Sequence, residues 1–185
     1  MSSERLISLV LVFVIAVGAG AGTYNGSSEY TAGSGSNQAT IVVDFDASES
    51  FLFTYQWSGE ATSWGALDAI DLAGALDVTA TDYGPGWGYF VSDFAYPGAS
   101  KYDYGAGANT GWAYYISDDN TNWSPSGGGV SFRTLSNGVW DSWVWSNYPA
   151  DWSGPIRTPG AQPIPEPCTI ALMGLGGLFL GRRYP

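Results

Sequence analysis

The sequence predicts an α+β fold: a small, mainly antiparallel β-sheet domain with one helix. Three observations carry this. Several segments alternate apolar and polar residues with period two, the signature of half-buried strands. One stretch only, Thr62–Ala73, shifts to a helical period. The composition, with 26 Gly and 16% aromatic residues, suits tight turns between strands.

The elements follow in chain order. Ala39–Phe45 alternates, placing Ile41, Val43 and Phe45 on one face. Asp46-Ala47-Ser48-Glu49 reads as a turn. Ser50–Trp57 then puts Phe51, Phe53, Tyr55 and Trp57 on one face and Leu52, Thr54 and Gln56 on the other. In the helix, Thr62 or Ser63 can serve as N-cap. Trp64, Leu67, Ile70 and Ala73 fall near one face, and Gly74 offers a left-handed stop. Strands resume over Leu76–Tyr83 and Tyr89–Phe94. A Gly- and Tyr-rich loop spans 97–110. Gly111–Ser117 places Trp112, Tyr114 and Ile116 on one face. Val130–Leu135 and Val139–Trp145 flank Ser136-Asn137-Gly138, a strong hairpin signal. Trp143 and Trp145 share a face there, and Trp140 lies opposite.

The flanks are of different character. Residues 1–21 read as a signal peptide. Arg5 supplies a basic start, Leu6–Val17 an apolar core too short for an ordinary transmembrane helix, and Ala19-Gly20-Ala21 the small residues before cleavage. Residues 22–38 form a Gly/Ser-rich leader, a flexible segment or an irregular first strand. Residues 39–146 form the β-rich extracytoplasmic domain. Residues 147–163 are Pro-rich and predict an extended spacer. Residues 164–185 form a tail whose apolar segment, about 169–181, is long enough to enter a bilayer yet short for a permanent anchor.

Charge and chemistry narrow the function classes. Charged residues are only 12% of the chain, against roughly 25% in ordinary soluble domains. Residues 22–167 hold 16 acids against 3 bases, a net −13. Such a surface repels phosphate backbones, so nucleic acid is not an expected partner. There is no His, and the single Cys is Cys168. His-based acid–base catalysis, intramolecular disulfides and Cys/His zinc sites are excluded. Neither a Gly-x-Ser-x-Gly elbow nor a phosphate-binding loop occurs. Asp118-Asp119-Asn120-Thr121-Asn122 is oxygen-rich, but it lacks the spacing and closing Glu of a calcium loop and reads as a solvated turn. No cofactor or metal is expected.

The tail carries the most specific signal. Pro165, Glu166 and Pro167 precede the apolar run Ile170–Leu180, and Arg182 and Arg183 follow it. The Arg pair stays cytoplasmic by the positive-inside rule and acts as a stop-transfer signal. The Pro-flanked motif is then held extended on the outer side of the membrane. In order, spacing and position this resembles the PEP-CTERM sorting signal of Gram-negative bacteria. Cys168 follows the motif where a small residue is usual, and Tyr184-Pro185 extend past the Arg pair. The resemblance implies two processing partners, signal peptidase and an exosortase-type membrane peptidase. It also implies transient residence in the inner membrane, then delivery to the cell surface, outer envelope or extracellular matrix, where exopolysaccharide is the usual company.

A second resemblance covers residues 50–146. A strand, the helix Trp64-Gly65-Ala66-Leu67-Asp68-Ala69-Ile70, further strands, Gly111-Trp112-Ala113-Tyr114-Tyr115-Ile116 and a closing hairpin are similar to the domain related to the C-terminal part of transcobalamin. Ser117-Asp118-Asp119 stands where Asn-Gly is usual after the Tyr-Tyr strand. This resemblance implies a β-grasp-like sheet and corrinoid as a candidate ligand.

The functional expectation is a non-enzymatic surface or matrix protein. A ligand-binding module for corrinoid or glycan is the alternative, with Trp112, Tyr114, Trp143 and Trp145 as the candidate platform: exposed aromatic rings stack on planar or sugar faces, whereas buried ones fill a core, the reading the pattern favours. A secreted carbohydrate-active enzyme using paired carboxylates is a further alternative.

Overall fold

The computed structural model describes residues 23–100 and 109–160. The expected signal peptide, residues 101–108 and the sorting tail lie outside the described residues. Among those described, nine strands and one helix occur: β1 (Ser28–Gly33), β2 (Asn37–Asp46), β3 (Glu49–Trp57), α1 (Ser63–Ala73), β4 (Asp77–Asp82), β5 (Tyr89–Tyr96), β6 (Ala99–Ser100), β7 (Thr110–Ser117), β8 (Ser124–Pro125) and β9 (Trp140–Asn147). The domain is therefore α+β and mainly β, as the alternation predicts.

A six-stranded sheet runs in the order β1-β3-β2-β9-β7-β8, and a three-stranded sheet in the order β4-β5-β6. The large sheet is mixed. β2 pairs antiparallel with β3 and parallel with β9, while β9 pairs antiparallel with β7. β2 and β9 are thus a parallel pair at the centre. Its neighbours on both sides leave both faces to be covered. Residues Ile41 through Phe45 are all buried, which explains why polar Asp44 sits in an otherwise apolar run.

The inner face presents Ile41, Val43, Phe45, Phe53, Trp57 and Trp143 to the main core. The helix covers the β1/β3 side of that face with Ala66, Leu67 and Ile70. The small sheet covers the β7/β9 side through Val91 and Phe94, with Phe94 edge-on to Trp112 at 4.8 Å. The outer face carries two smaller clusters, Tyr24–Val42–Leu52 and Ala113–Tyr115–Val144, joined by Trp123. No helix among the described residues is long and apolar enough to cross a membrane.

Several local expectations change. The leader contains an edge strand: β1 pairs parallel with β3, and Tyr24 before it is buried. Of the two readings of this segment, flexible leader or irregular first strand, the structure shows the strand. Thr62 is the N-cap, its Oγ1 accepting from Gly65 N at 3.2 Å. The buried helix face is Ser63, Ala66, Leu67 and Ile70, whereas Ala73 is exposed. Gly74 is not left-handed (φ −152). It is needed because the Tyr30 ring occupies the place of a Cβ, with Cζ at 2.2 Å.

The hairpin across Ser136-Asn137-Gly138 does not form. Asn137 Oδ1 accepts from Gln38 N, Gly138 N donates to Gln38 O, and Thr40 N donates to Val139 O. The turn therefore hands the chain to β2 instead of folding it back on itself. Residues 130–135 form a turn and one bridge, Thr134 to Thr62, at the start of the helix. Likewise, residues 147–160 do not extend away from the domain. Ile156 N donates to Asn147 O, Arg157 N to Ser146 Oγ, and Pro159 is buried.

Candidate functional site

The four platform residues are brought together. Cross-strand register sets Tyr114 opposite Trp143 and Trp112 opposite Trp145. All four lie on the inner face. Tyr114 and Trp143 stack with ring centroids 4.4 Å apart and planes 13° apart. Trp112 meets Trp145 edge-on at 5.3 Å and Phe45 at 5.3 Å. Trp143 is only 3% exposed. The rings pack against one another and against the small sheet. Trp112, Tyr114 and Trp143 also line a groove of about 290 Å³, together with Tyr89, Phe90 and Tyr148.

Two polar clusters that sequence patterning missed anchor the central strand pair. On the inner face, Asp141 of β9 is fully buried. Ser63 Oγ donates to its Oδ2, and the Tyr114 hydroxyl lies 2.7 Å from that oxygen and 2.9 Å from Ser63 Oγ. Arg133 Nε donates to Oδ1 at 2.8 Å. On the outer face, Asp44 of β2 has the same company. The Tyr24 hydroxyl donates to its Oδ2 at 2.8 Å and lies 3.0 Å from Ser142 Oγ, while Arg157 Nη2 donates to Oδ1. Arg157 Nη1 also donates to Trp145 O at 2.7 Å.

Each cluster is an Asp, a Tyr, a Ser and an Arg, and each ties an irregular segment to the sheet. Burial, reinforced by the Asp44 and Asp141 charges, holds the Tyr24 and Tyr114 hydroxyls far above the ordinary tyrosine range. Burial also raises Asp44, against the pull of Arg157. Arg133 and Arg157 are the two basic residues of the described chain, and both are spent internally. The described surface thus displays carboxylates without accessible cations.

Asp119 is spent as well. It accepts from Thr121 N and Asn122 N at 2.9 and 2.8 Å, and from Asn122 Nδ2 at 2.7 Å. Hydrogen bonds from Asn122 lead in holding its carboxyl well below the usual range. No group of three or more acidic or sulfur ligands able to hold a metal occurs among the described residues.

Exposed aromatic residues are found elsewhere. The turn between β4 and β5 carries Tyr83 and Trp87, 63% and 81% exposed, and the facing loop carries Phe132, 58% exposed. Between turn and loop lies a cleft of about 320 Å³, lined by Thr62, Trp64, Asp82, Tyr89, Ser131 and Phe132 together with the turn glycines. Trp64 and Tyr89 stack in its wall at 3.8 Å and 9°. Loop residues carry no periodic pattern, so alternation could not single these out. The only cue was large apolar side chains inside Gly/Pro-rich turns.

No protein-family model, curated protein or solved structure matches this chain.

Proposed function

We propose that this is an exported, non-enzymatic surface or matrix protein of a Gram-negative envelope, sorted by its C-terminal signal. The observation that carries it is the ordered tail: Pro165-Glu166-Pro167, the apolar run Ile170–Leu180, then Arg182-Arg183. Signal peptidase processes the N-terminus after Ala21. The tail halts in the inner membrane, and an exosortase-type peptidase acts at the Pro-Glu-Pro motif. The β-rich domain, expected over 39–146 and extended by β1 and residues 147–160, is the delivered cargo. Its lack of His and Cys is consistent with a non-catalytic role.

The fold is β-grasp-like in this reading. Support comes from the order β3-β2-β9-β7-β8 with its parallel central pair, and from the helix that follows the first hairpin. β1 and the small sheet are additions to that plan. The second reading, a surface module that binds glycan or corrinoid, gains support from the aromatic cleft and from the groove that Trp112, Tyr114 and Trp143 line.

Fractionation of the native host tests sorting. With the exosortase gene intact, the protein is recovered from the surface or medium. With that gene deleted, it stays in the inner membrane. An unchanged distribution after deletion contradicts the proposal.

A further inference from the structure

We propose that the cleft between the β4–β5 turn and the 129–132 loop binds a neutral saccharide. The geometry of the walls comes first. A pyranose ring has one or two faces of C–H groups and a rim of hydroxyls. It therefore needs a flat apolar surface with hydrogen-bonding groups beside it. Phe132 and the stacked Trp64–Tyr89 pair supply aromatic surface in the cleft, and Trp87 and Tyr83 stand exposed on the adjoining turn. Asp82, Thr62 and Ser131 supply polar atoms in the same lining. Asp82 uses Oδ1 to accept from Gly84 N at 2.8 Å, leaving Oδ2 outside that turn contact. The volume, about 320 Å³, falls within the range of small-ligand sites, roughly 300–1,000 Å³.

The cleft is also held in shape without a ligand. Tyr83 N donates to Gly88 O at 2.9 Å, and both Trp87 N and Gly88 N donate to Gly84 O. Gly88 has φ +69, and a Cβ there would meet Ser131 Cβ at 2.5 Å, so turn and loop touch. Ser131 Oγ accepts from Tyr89 N at 2.8 Å, closing the contact. A prearranged site loses less conformational freedom on binding. Tyr89 lines both this cleft and the groove of about 290 Å³.

Charge selects the neutral class. Both basic residues of the described chain are bound to buried carboxylates, and Asp82 sits in the cleft. A uronic acid or sulfated sugar would meet a carboxylate and, among the described residues, no cation free of a buried carboxylate, which disfavours it. Of the three most exposed aromatics, Phe132 lines the cleft, and Tyr83 and Trp87 lie on the turn whose glycines line it; exposed apolar surface of this kind marks a binding surface.

The test is affinity electrophoresis of the purified full chain through gels containing a neutral polysaccharide (galactomannan, dextran or hydroxyethylcellulose) or an anionic one (alginate, hyaluronan). Trp87→Ala, Phe132→Ala and Asp82→Asn are compared with the parent. These side chains are exposed, so the variants are expected to keep the parent's far-ultraviolet dichroism. At least one neutral gel is expected to retard the parent, with binding weakened at least tenfold in Trp87→Ala or Phe132→Ala and no retardation in the anionic gels. Three results overturn the proposal: no retardation in any neutral gel, retardation that survives both aromatic substitutions, or retardation by the anionic gels. Sedimentation showing a dimer that Trp87→Ala dissolves would also overturn it, assigning the patch to a second copy of this chain. None of these outcomes depends on how the tail is processed.

Discussion

At the residue scale, the two Asp-centred clusters dominate. Asp141 is fully buried and Arg133 is its only cationic partner among the described residues. Removing one partner of such a pair strands the other charge, which costs about 3–5 kcal/mol. Arg133→Ala is therefore expected to lower the urea midpoint by that equivalent, whereas Arg133→Lys, which keeps the charge, is expected to lose less. The tyrosines give a second prediction with a definite sign. Tyr24 and Tyr114 have folded-state values raised above the ordinary value of 10.0. The native state thus holds protons that the unfolded state releases above that pH. Stability from these groups is complete below pH 10 and falls as pH rises further, by about 1.4 kcal/mol per pH unit for each group. Of the twelve tyrosines, at least two are expected to ionise only as the protein unfolds, read as a phenolate absorbance step coincident with loss of dichroism. A smooth titration of all twelve before unfolding would contradict the buried clusters.

At the element scale, the helix is fixed at both ends by groups outside its own pattern. Tyr30 of β1 donates its hydroxyl to Ile70 O at 2.9 Å and accepts from Leu76 N at 3.1 Å, and its ring rests on Gly74. Gly74→Ala would push that ring out and break both bonds, a cost of about 1–3 kcal/mol. In a Tyr30→Ala background, the same substitution is expected to cost far less, measured by the difference in urea midpoints. This contact also shows what was legible. Alternation in Ala39–Phe45, Ser50–Trp57 and Gly111–Ser117 revealed strands and which side chains share a face. It could not say that both faces of β2 are buried, or that Trp112, Tyr114, Trp143 and Trp145 face inward, because period two carries no sign. The Asn137-Gly138 turn was visible, but its partner was not. Pairing of β2 with β9 joins residues about a hundred positions apart, and no local pattern encodes that. β1, with Ser, Thr and Gly at an exposed edge, had too little apolar content to be told from a flexible leader.

At the scale of the whole molecule, a mixed sheet is wrapped on both faces and clamped by Arg133 on one and Arg157 on the other. Arg157 belongs to the segment whose prolines suggested a free spacer. Its contacts with Asp44 and Trp145 O make residues 147–160 part of the domain. Any tether to the membrane therefore begins after Gly160. The described surface is acidic, and its three most exposed aromatic rings, Trp87, Tyr83 and Phe132, lie on the β4–β5 turn and the facing loop. The proposed address rests on the tail. The address is tested most directly by mass spectrometry of the mature protein recovered from its native host. The account predicts an N-terminus at Gly22 and a C-terminus upstream of the apolar run Ile170–Leu180. A mature chain still ending in Arg182-Arg183-Tyr184-Pro185 would contradict it.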